Sequence, residues 1–229
     1  LIEGEIIRSG RNRVFVNRQR LVRSRDLLGV MRVSVFSPDD LALVKGGPGE
    51  RRRFLDEALV ALATKHDALL RDLDRILRQR NTLLKQAAGR LNDEVELTLD
   101  VWDAKLSGVG EELGRARVAL VEQIEPLVDD AYAALAGPGA AVAVRYDPPW
   151  LPQGLSAALR TARSEDVKRA VTTVGPHRDE VELTVNGMPA RTHASQGEQR
   201  TAALALRMAV HRLVADRVGS PPVLVLDDV

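Results

Sequence analysis

Two stretches near the end of the chain hold the residues best suited to chemistry, "SQGEQR" (Ser195–Arg200) and "VLVLDD" (Val223–Asp228). In the second, four apolar residues predict a strand buried on both faces. Its first acid emerges at the C-terminal end, where open α/β sheets place ligands. Asp227 is then suited to hold Mg²⁺ bound to nucleotide phosphates, and Asp228 to orient or deprotonate a water that attacks the terminal phosphate. Apolar strands ending in Asp are common, so this pattern alone is weak. In the first stretch Ser195 precedes a helix whose apolar positions recur at Ala202, Leu206, Ala209 and Leu213. A helix start offers free N–H groups and the positive end of a dipole to an anion. Ser195 can cap that helix or donate to a phosphate oxygen, and Gly197 allows close backbone approach. A plain N-cap accounts for the Ser-x-Gly equally well. It does not account for the acid-ended strand one helix later.

The elements that must position these residues can be read from pattern. "GEIIRSGRNRVFVNRQRL" alternates apolar and polar residues around polar turns and predicts a hairpin; "MRVSVF" (Met31–Phe36) predicts a further strand. Gly46-Gly47-Pro48 then starts a helix. Its seam runs Leu55, Leu59, Leu62, His66, Leu69, Leu73, Ile76, Arg80, Leu83 and Ala87, a heptad spacing with two polar interruptions. A second helix is predicted from about Val101 to Leu135, with Arg117 in its seam and Pro126 as a possible kink. Two long helices with a short connection pack as an antiparallel hairpin, though a piece of ordinary bundle fits the spacing as well. "AAVAVRY" returns to strand, "LSAALRTARSEDVKRA" is helical, and "EVELTVNGMPAR" turns at Asn186-Gly187. A helix from about Gln196 to Val218 and the strand "PVLVL" close the order. The reading is an α/β fold whose sheet is assembled from both ends of the sequence, with a helical arm inserted.

Composition sets limits. Hydrophobic residues make up 45% of the 229, enough for a core, while aromatics at 3% leave that core to Leu, Val, Ala and Ile. The absence of cysteine excludes disulfides and thiolate metal sites and fits a reducing cytosol. No apolar run is long enough to span a bilayer, and no signal-peptide pattern opens the chain. Residue 1 is Leu, so a piece of a longer protein is expected. Net charge is only +1, but Arg8, Arg11, Arg13, Arg18, Arg20, Arg23 and Arg25 crowd the start against Glu3 and Glu5. Such patches attract phosphates whatever the overall charge, and a solvated surface balanced elsewhere reads equally well.

"ASQGEQRTAALALRMA" followed by "PPVLVLDDV" resembles the signature motif and Walker B of ABC-type ATPases, in the form used by the RecF family of DNA replication and repair proteins. Three further segments occur in that family's order: "VFSPDDLALVKGGPGERRRFLDEAL", "QRNTLLK" (Gln79–Lys85) and "VGPHRDEVEL" (Val174–Leu183). The resemblance implies an incomplete ABC-type ATPase head, similar to those of SMC proteins, with an inserted arm of long antiparallel helices. Residues 1–44 would be the N-terminal β part of the head, 45–138 the arm, and 139–229 the remainder of the head. It also implies that ATP pairs two heads into a homodimer. Ser195, Gln196, Gly197 and Glu198 would touch the terminal phosphate of ATP bound to the partner, Asp227 would serve Mg²⁺, and Asp228 would be the catalytic carboxylate. The implied role is cytoplasmic, in recombinational repair, replication restart and the SOS response. DNA would be met at single-stranded regions or single/double-strand junctions, together with RecO and RecR. Arg51, Arg52 and Arg53 are candidate DNA contacts, with salt bridges to Asp56, Glu57 and neighbours the competing reading.

The signature departs from Leu-Ser-Gly-Gly-Gln, with Ala194, Gln196 and Glu198 replacing Leu, the first Gly and Gln. No GxxxxGK[ST] occurs, and the family's Glu-Leu-Asp after Walker B is absent too. The resemblance therefore implies no ATP hydrolysis by this stretch alone and a slow ATPase in the intact parent. Two other readings stay open, a non-enzymatic helical-hairpin interaction module and a plain DNA-binding domain; for a head from a different SMC-like repair protein, which would carry a far longer coiled coil, the arm is too short.

Overall fold

The structure is a computed structural model that describes residues 1–137 and 139–227, the side chains at 24 and 25 excepted. The chain opens on a three-stranded antiparallel meander: β1 (Ile2–Glu5), β2 (Arg13–Val16) and β3 (Gln19–Arg20). The β2–β3 turn sets both Asn17 and Arg18 at positive φ, the type I′ geometry that matches strand twist. Next come β4 (Val33–Phe36), a 3-10 turn (Pro38–Leu41), α1 (Ala42–Lys45), α2 (Pro48–Leu62), α3 (Lys65–Gln86) and α4 (Asp93–Ala136). They are followed by β5 (Val142–Arg145), α5 (Leu155–Arg169), β6 (Glu182–Val185), β7 (Met188–Pro189), α6 (Ala190–His193), α7 (Gln196–Val218) and β8 (Val223–Leu226). β5, β6 and β7 form an antiparallel sheet turned at Asn186-Gly187, while β4 and β8 pair in parallel, Val33 opposite Val223 through Phe36 opposite Leu226. The two ends of the sequence thus meet in one sheet. Among the described residues, no helix is long and apolar enough to cross a membrane.

The helix predicted to run unbroken from Pro48 to Ala87 is two helices. Ala63 takes an extended conformation (φ −151°, ψ 118°) between α2 and α3. The interruption leaves late carbonyls of α2 without helical partners, and Arg32 Nε donates to one of them, Ala61 O, at 2.8 Å. The second long helix starts earlier than predicted, at Asp93. Asn92 Oδ1 accepts from Val95 N at 2.9 Å, and Asp93, Glu94 and Glu96 complement the dipole in the first turn. α4 continues through Pro126 without a break.

α4 organises the core. Its first half meets α3 and α5, and its second half runs alongside α7, where Arg217 Nη2 donates to Gln123 Oε1 at 2.8 Å. Leu106, Leu113, Leu120, Ile124, Val128 and Tyr132 are buried along it. Two glycines let neighbours approach the α4 backbone. A Cβ on Gly114 would lie 2.5 Å from the Trp150 ring, and one on Gly110 would collide with Leu155.

β8 departs from the sequence reading, which buries it on both faces. Val223, Leu224, Val225 and Leu226 are 42–55% exposed, and Val33 and Val35 of β4 are similarly open. The cause is the pairing: among the described residues β8 has β4 on one edge and no strand on the other.

Candidate functional site

Ser195 caps α7 through a reciprocal box. Its Oγ accepts from Glu198 N at 3.3 Å, and the Glu198 carboxylate accepts from Ser195 N at 2.7 Å. These bonds hold the Glu198 carboxyl below its usual range. The N–H groups of Gln196 and Gly197, in the first turn, have no carbonyl four residues back to meet and face solvent. A Cβ on Gly197 would meet nothing within 4 Å, so the approach to this helix start is open. The next turn is anchored inward: buried Gln199 donates through Nε2 to Ala190 O (3.1 Å) and Arg191 O (3.3 Å).

Asp227 stands at the C-terminal end of β8, exposed, its N–H donating to Phe36 O at 2.9 Å. Asp228 lies outside the described residues. Arg207 of α7 donates through its guanidinium to buried Asp40 at 2.6 and 3.0 Å, just past the end of β4. From Arg207 back to Ser195 the helix climbs about 18 Å, at 1.5 Å per residue. Ser195 and its capping box thus stand about 18 Å along α7 from the Arg207–Asp40 pair. The sequence reading did not find the Arg207–Asp40 pair, which joins residues far apart in the chain.

The "GPHRD" segment is a junction. Arg117 of α4 donates to Pro176 O at 2.7 Å and forks onto Asp56 of α2 with two 2.9 Å bonds. Burial pushes the Asp56 carboxyl up, partly offset by Arg117. His177 Nε2 and Arg178 Nε both reach Thr172 O at 3.1 Å, so His177 carries its proton on Nε2. Burial holds His177 down at about 4. Asp179 accepts from Tyr146 Oη (2.6 Å) and Trp150 Nε1 (2.8 Å), and burial raises its pKa.

The three arginines at the start of α2 meet this junction. Arg51 donates to Glu180 at 2.8 and 3.1 Å and to Gly46 O at 3.0 Å, and Arg52 donates to Asp179 O at 2.6 Å. Arg53 pairs with Glu50 and Glu57 but remains 68% exposed. The fold uses Arg51 and Arg52 to fasten α2 to the Asp179–Glu180 loop, leaving Arg53 the most open of the three to an outside ligand. "QRNTLLK" supplies a second internal tie. Arg80, fully buried, donates to Asp103 and Asp166 at 2.7 Å each and to Thr172 Oγ1 at 2.9 Å, while Asn81 Oδ1 accepts from Thr172 N and Oγ1. Among the described residues, no group of three or more His, Asp or Glu is placed to hold a metal ion.

An acid-ended strand in a parallel pair, a solvent-facing helix start before it in sequence, and long helices inserted between the two β segments make this a mixed α/β fold with an inserted helical arm. Proteins named DNA replication and repair protein RecF match it throughout. That of Streptomyces avermitilis is 45% identical over 244 residues, covering 100% of this chain and 65% of its own length, and that of Pseudarthrobacter chlorophenolicus is 40% identical with 67% of its length covered. The chain belongs to the RecF family. A solved structure described as the recombination mediator protein RecF-ATPrS in the RecFOR pathway superposes with a TM-score of 0.87 at 27% identity, covering 100% of this chain and 63% of that one. A second, described as RecF-ATP, gives the same TM-score. No family model matches the chain. The chain spans about 65% of the length of the first relatives it matches.

Proposed function

We propose that the chain is the signature-bearing part of an ATP-gated DNA-binding protein, acting in recombinational repair and replication restart as a cytoplasmic homodimer. The observation that carries this reading is the open start of α7, where nothing lies within 4 Å of a Cβ built on Gly197. A helix start that is open to solvent is suited to the phosphates of a nucleotide held by another copy. The residues present fit such a ligand: unpaired N–H groups at Gln196 and Gly197, open space over Gly197, and an exposed carboxylate at Asp227. Bound ATP would supply the anion that draws two copies together, and Mg²⁺ would sit on Asp227. The catalytic carboxylate is assigned to Asp228. In the capping box Glu198 competes with a phosphate for Ser195 rather than helping to bind it, so engagement requires the Glu198 side chain to swing out.

The arm proposed for 45–138 is rooted in the head along the second half of α4, against the signature helix. DNA at single-stranded or gapped regions is the proposed ligand of the pair, with RecO and RecR as partners that family membership supports. The test is sedimentation of the intact protein with and without Mg-ATP, beside Ser195→Arg. The reading expects an ATP-dependent dimer that the variant cannot form. A wild-type protein that ignores ATP would sink it.

A further inference from the structure

Most arginines of the arm and of the junction are spoken for, with Arg53 and Arg90 the open ones. Arg71, Arg75 and Arg78 of α3 each pair with an aspartate one turn earlier on the same helix, at 2.8–3.0 Å. Arg51, Arg52, Arg80, Arg117, Arg163 and Arg207 are tied to carboxylates or carbonyls of the fold. The N-terminal meander is different. Arg8, Arg11, Arg13, Arg18, Arg20 and Arg23 are all exposed, and among the described residues only Arg13 has an ion pair, a 3.6 Å contact with Glu5 in which both side chains are about half open to solvent. Glu3 and Glu5 are the only acids in this stretch, so it is net positive while the rest of the chain is net acidic.

Register sets the layout of this charge. Glu5 faces Arg13, and Glu3, Phe15 and Arg20 are neighbours across the three strands on the same face. Arg8 and Arg11 sit in the β1–β2 loop at one end of the ribbon. At the other end the type I′ turn holds Arg18 at φ +67°. From Arg13 to Val16 the strand rises about 10 Å at 3.3–3.4 Å per residue, and the loop and turn carry arginines beyond both of its ends. A duplex presents a negative charge about every 1.7 Å of axis, so a ribbon of this length faces several phosphates at once. Exposed aromatic rings, on which single-stranded bases stack, are lacking here, since Phe15 is half-buried.

We infer that the β1–β3 meander is a sequence-independent contact for the phosphate backbone of duplex DNA. This rests on the DNA-binding reading above and assigns it a surface. Arginine presents a planar fork that matches phosphate oxygens, and contacts of this kind carry no base readout.

The experiment uses the intact protein with Mg-ATP and a labelled 30-bp duplex, titrated at several salt concentrations. Variant one carries Arg8→Ser, Arg11→Ser, Arg18→Asn and Arg23→Ser, all outside strands. Variant two removes the same charge elsewhere, through Arg71→Ser, Arg75→Ser, Arg78→Ser and Arg169→Ser. Variant three replaces the four meander arginines with Lys. The inference expects variant one to bind at least tenfold more weakly near 0.1 M salt, with the slope of log K against log salt reduced by about 0.9 for each lost phosphate contact. Variant two should stay within threefold of wild type, and variant three should recover most of the binding. Wild-type affinity and slope in variant one, or equal losses in variants one and two, would overturn the assignment while leaving DNA binding intact. No binding by the wild-type protein would remove the DNA reading itself.

Discussion

Replacing Arg80 with Met tests whether the arm is held by charge. Arg80 is fully buried, and its three bonds tie α3 to Asp103 of α4, to Asp166 of α5 and to Thr172. The two aspartates do not suffer equally from its loss. Asp103 keeps Arg163, whose Nη2 donates to it at 2.7 Å, whereas fully buried Asp166 loses its only cation and retains Thr173 N and Oγ1. Removing one partner of a buried pair costs about 3–5 kcal/mol because the remaining charge is left uncompensated. In a chain of this size that corresponds to a fall in Tm of about 10 °C. Adding Asp166→Asn should return about half of the loss, since the orphaned charge goes with it. Urea unfolding of wild type, both single variants and the double variant measures each quantity. A cost below about 1 kcal/mol, or strictly additive single and double variants, would refute the reasoning.

Four other outcomes are expected. Ser195→Ala should destabilise by about 1 kcal/mol through loss of the cap, and Glu198→Gln should lower the ATP concentration needed for dimerisation by removing a competing carboxylate. The first is read by denaturant midpoint and the second by sedimentation. Gly114→Ala should cost about 1–3 kcal/mol, because the new methyl meets the Trp150 ring, and the near-ultraviolet dichroism of that tryptophan should change with it. For His177 the folded pKa of about 4 lies below the unfolded value, so its contribution is complete above about pH 6.5 and lost as pH falls toward 4. His177→Asn should therefore remove up to about 2 kcal/mol of the stability lost between pH 7 and pH 5, as seen in urea midpoints across that range.

Sequence pattern reached furthest where the signals are local. The bounds read for α7 match those observed because Ser195 and Glu198 form a capping box and Gly219 takes the left-handed conformation that ends a helix. Asn186-Gly187 marked its turn for the same kind of reason. What escaped depends on side chains that meet across the fold. The break at Ala63 is stabilised by Arg32 from a distant loop, and no Gly or Pro announces it. Arg80 and Arg117 read as interruptions of apolar seams, yet both are buried cations with carboxylates waiting on neighbouring helices. An arginine at a seam position is itself a signal, and searching the facing helix for an aspartate would have found Asp103. The candidate site divided in the same way. Its residue types stood out, but the Arg207–Asp40 pair that ties α7 to the end of β4 joins residues too far apart in sequence to be read from pattern.

The length of α4 has a mechanical consequence. Its 44 residues extend about 66 Å, with one half clamped along the signature helix and the other reaching to Asn92. A body of that shape is a lever with its fulcrum near Gln123. If docking a nucleotide against Ser195 tilts α7 by about 5°, and α4 follows rigidly, the far end, about 45 Å from that fulcrum at 1.5 Å per residue, sweeps through about 4 Å. Displacements too small to break a single hydrogen bond at the helix start would thus be read out at the arm's tip on the scale of a bound macromolecule, and the buried Arg80 tie keeps α3 and α5 moving with it.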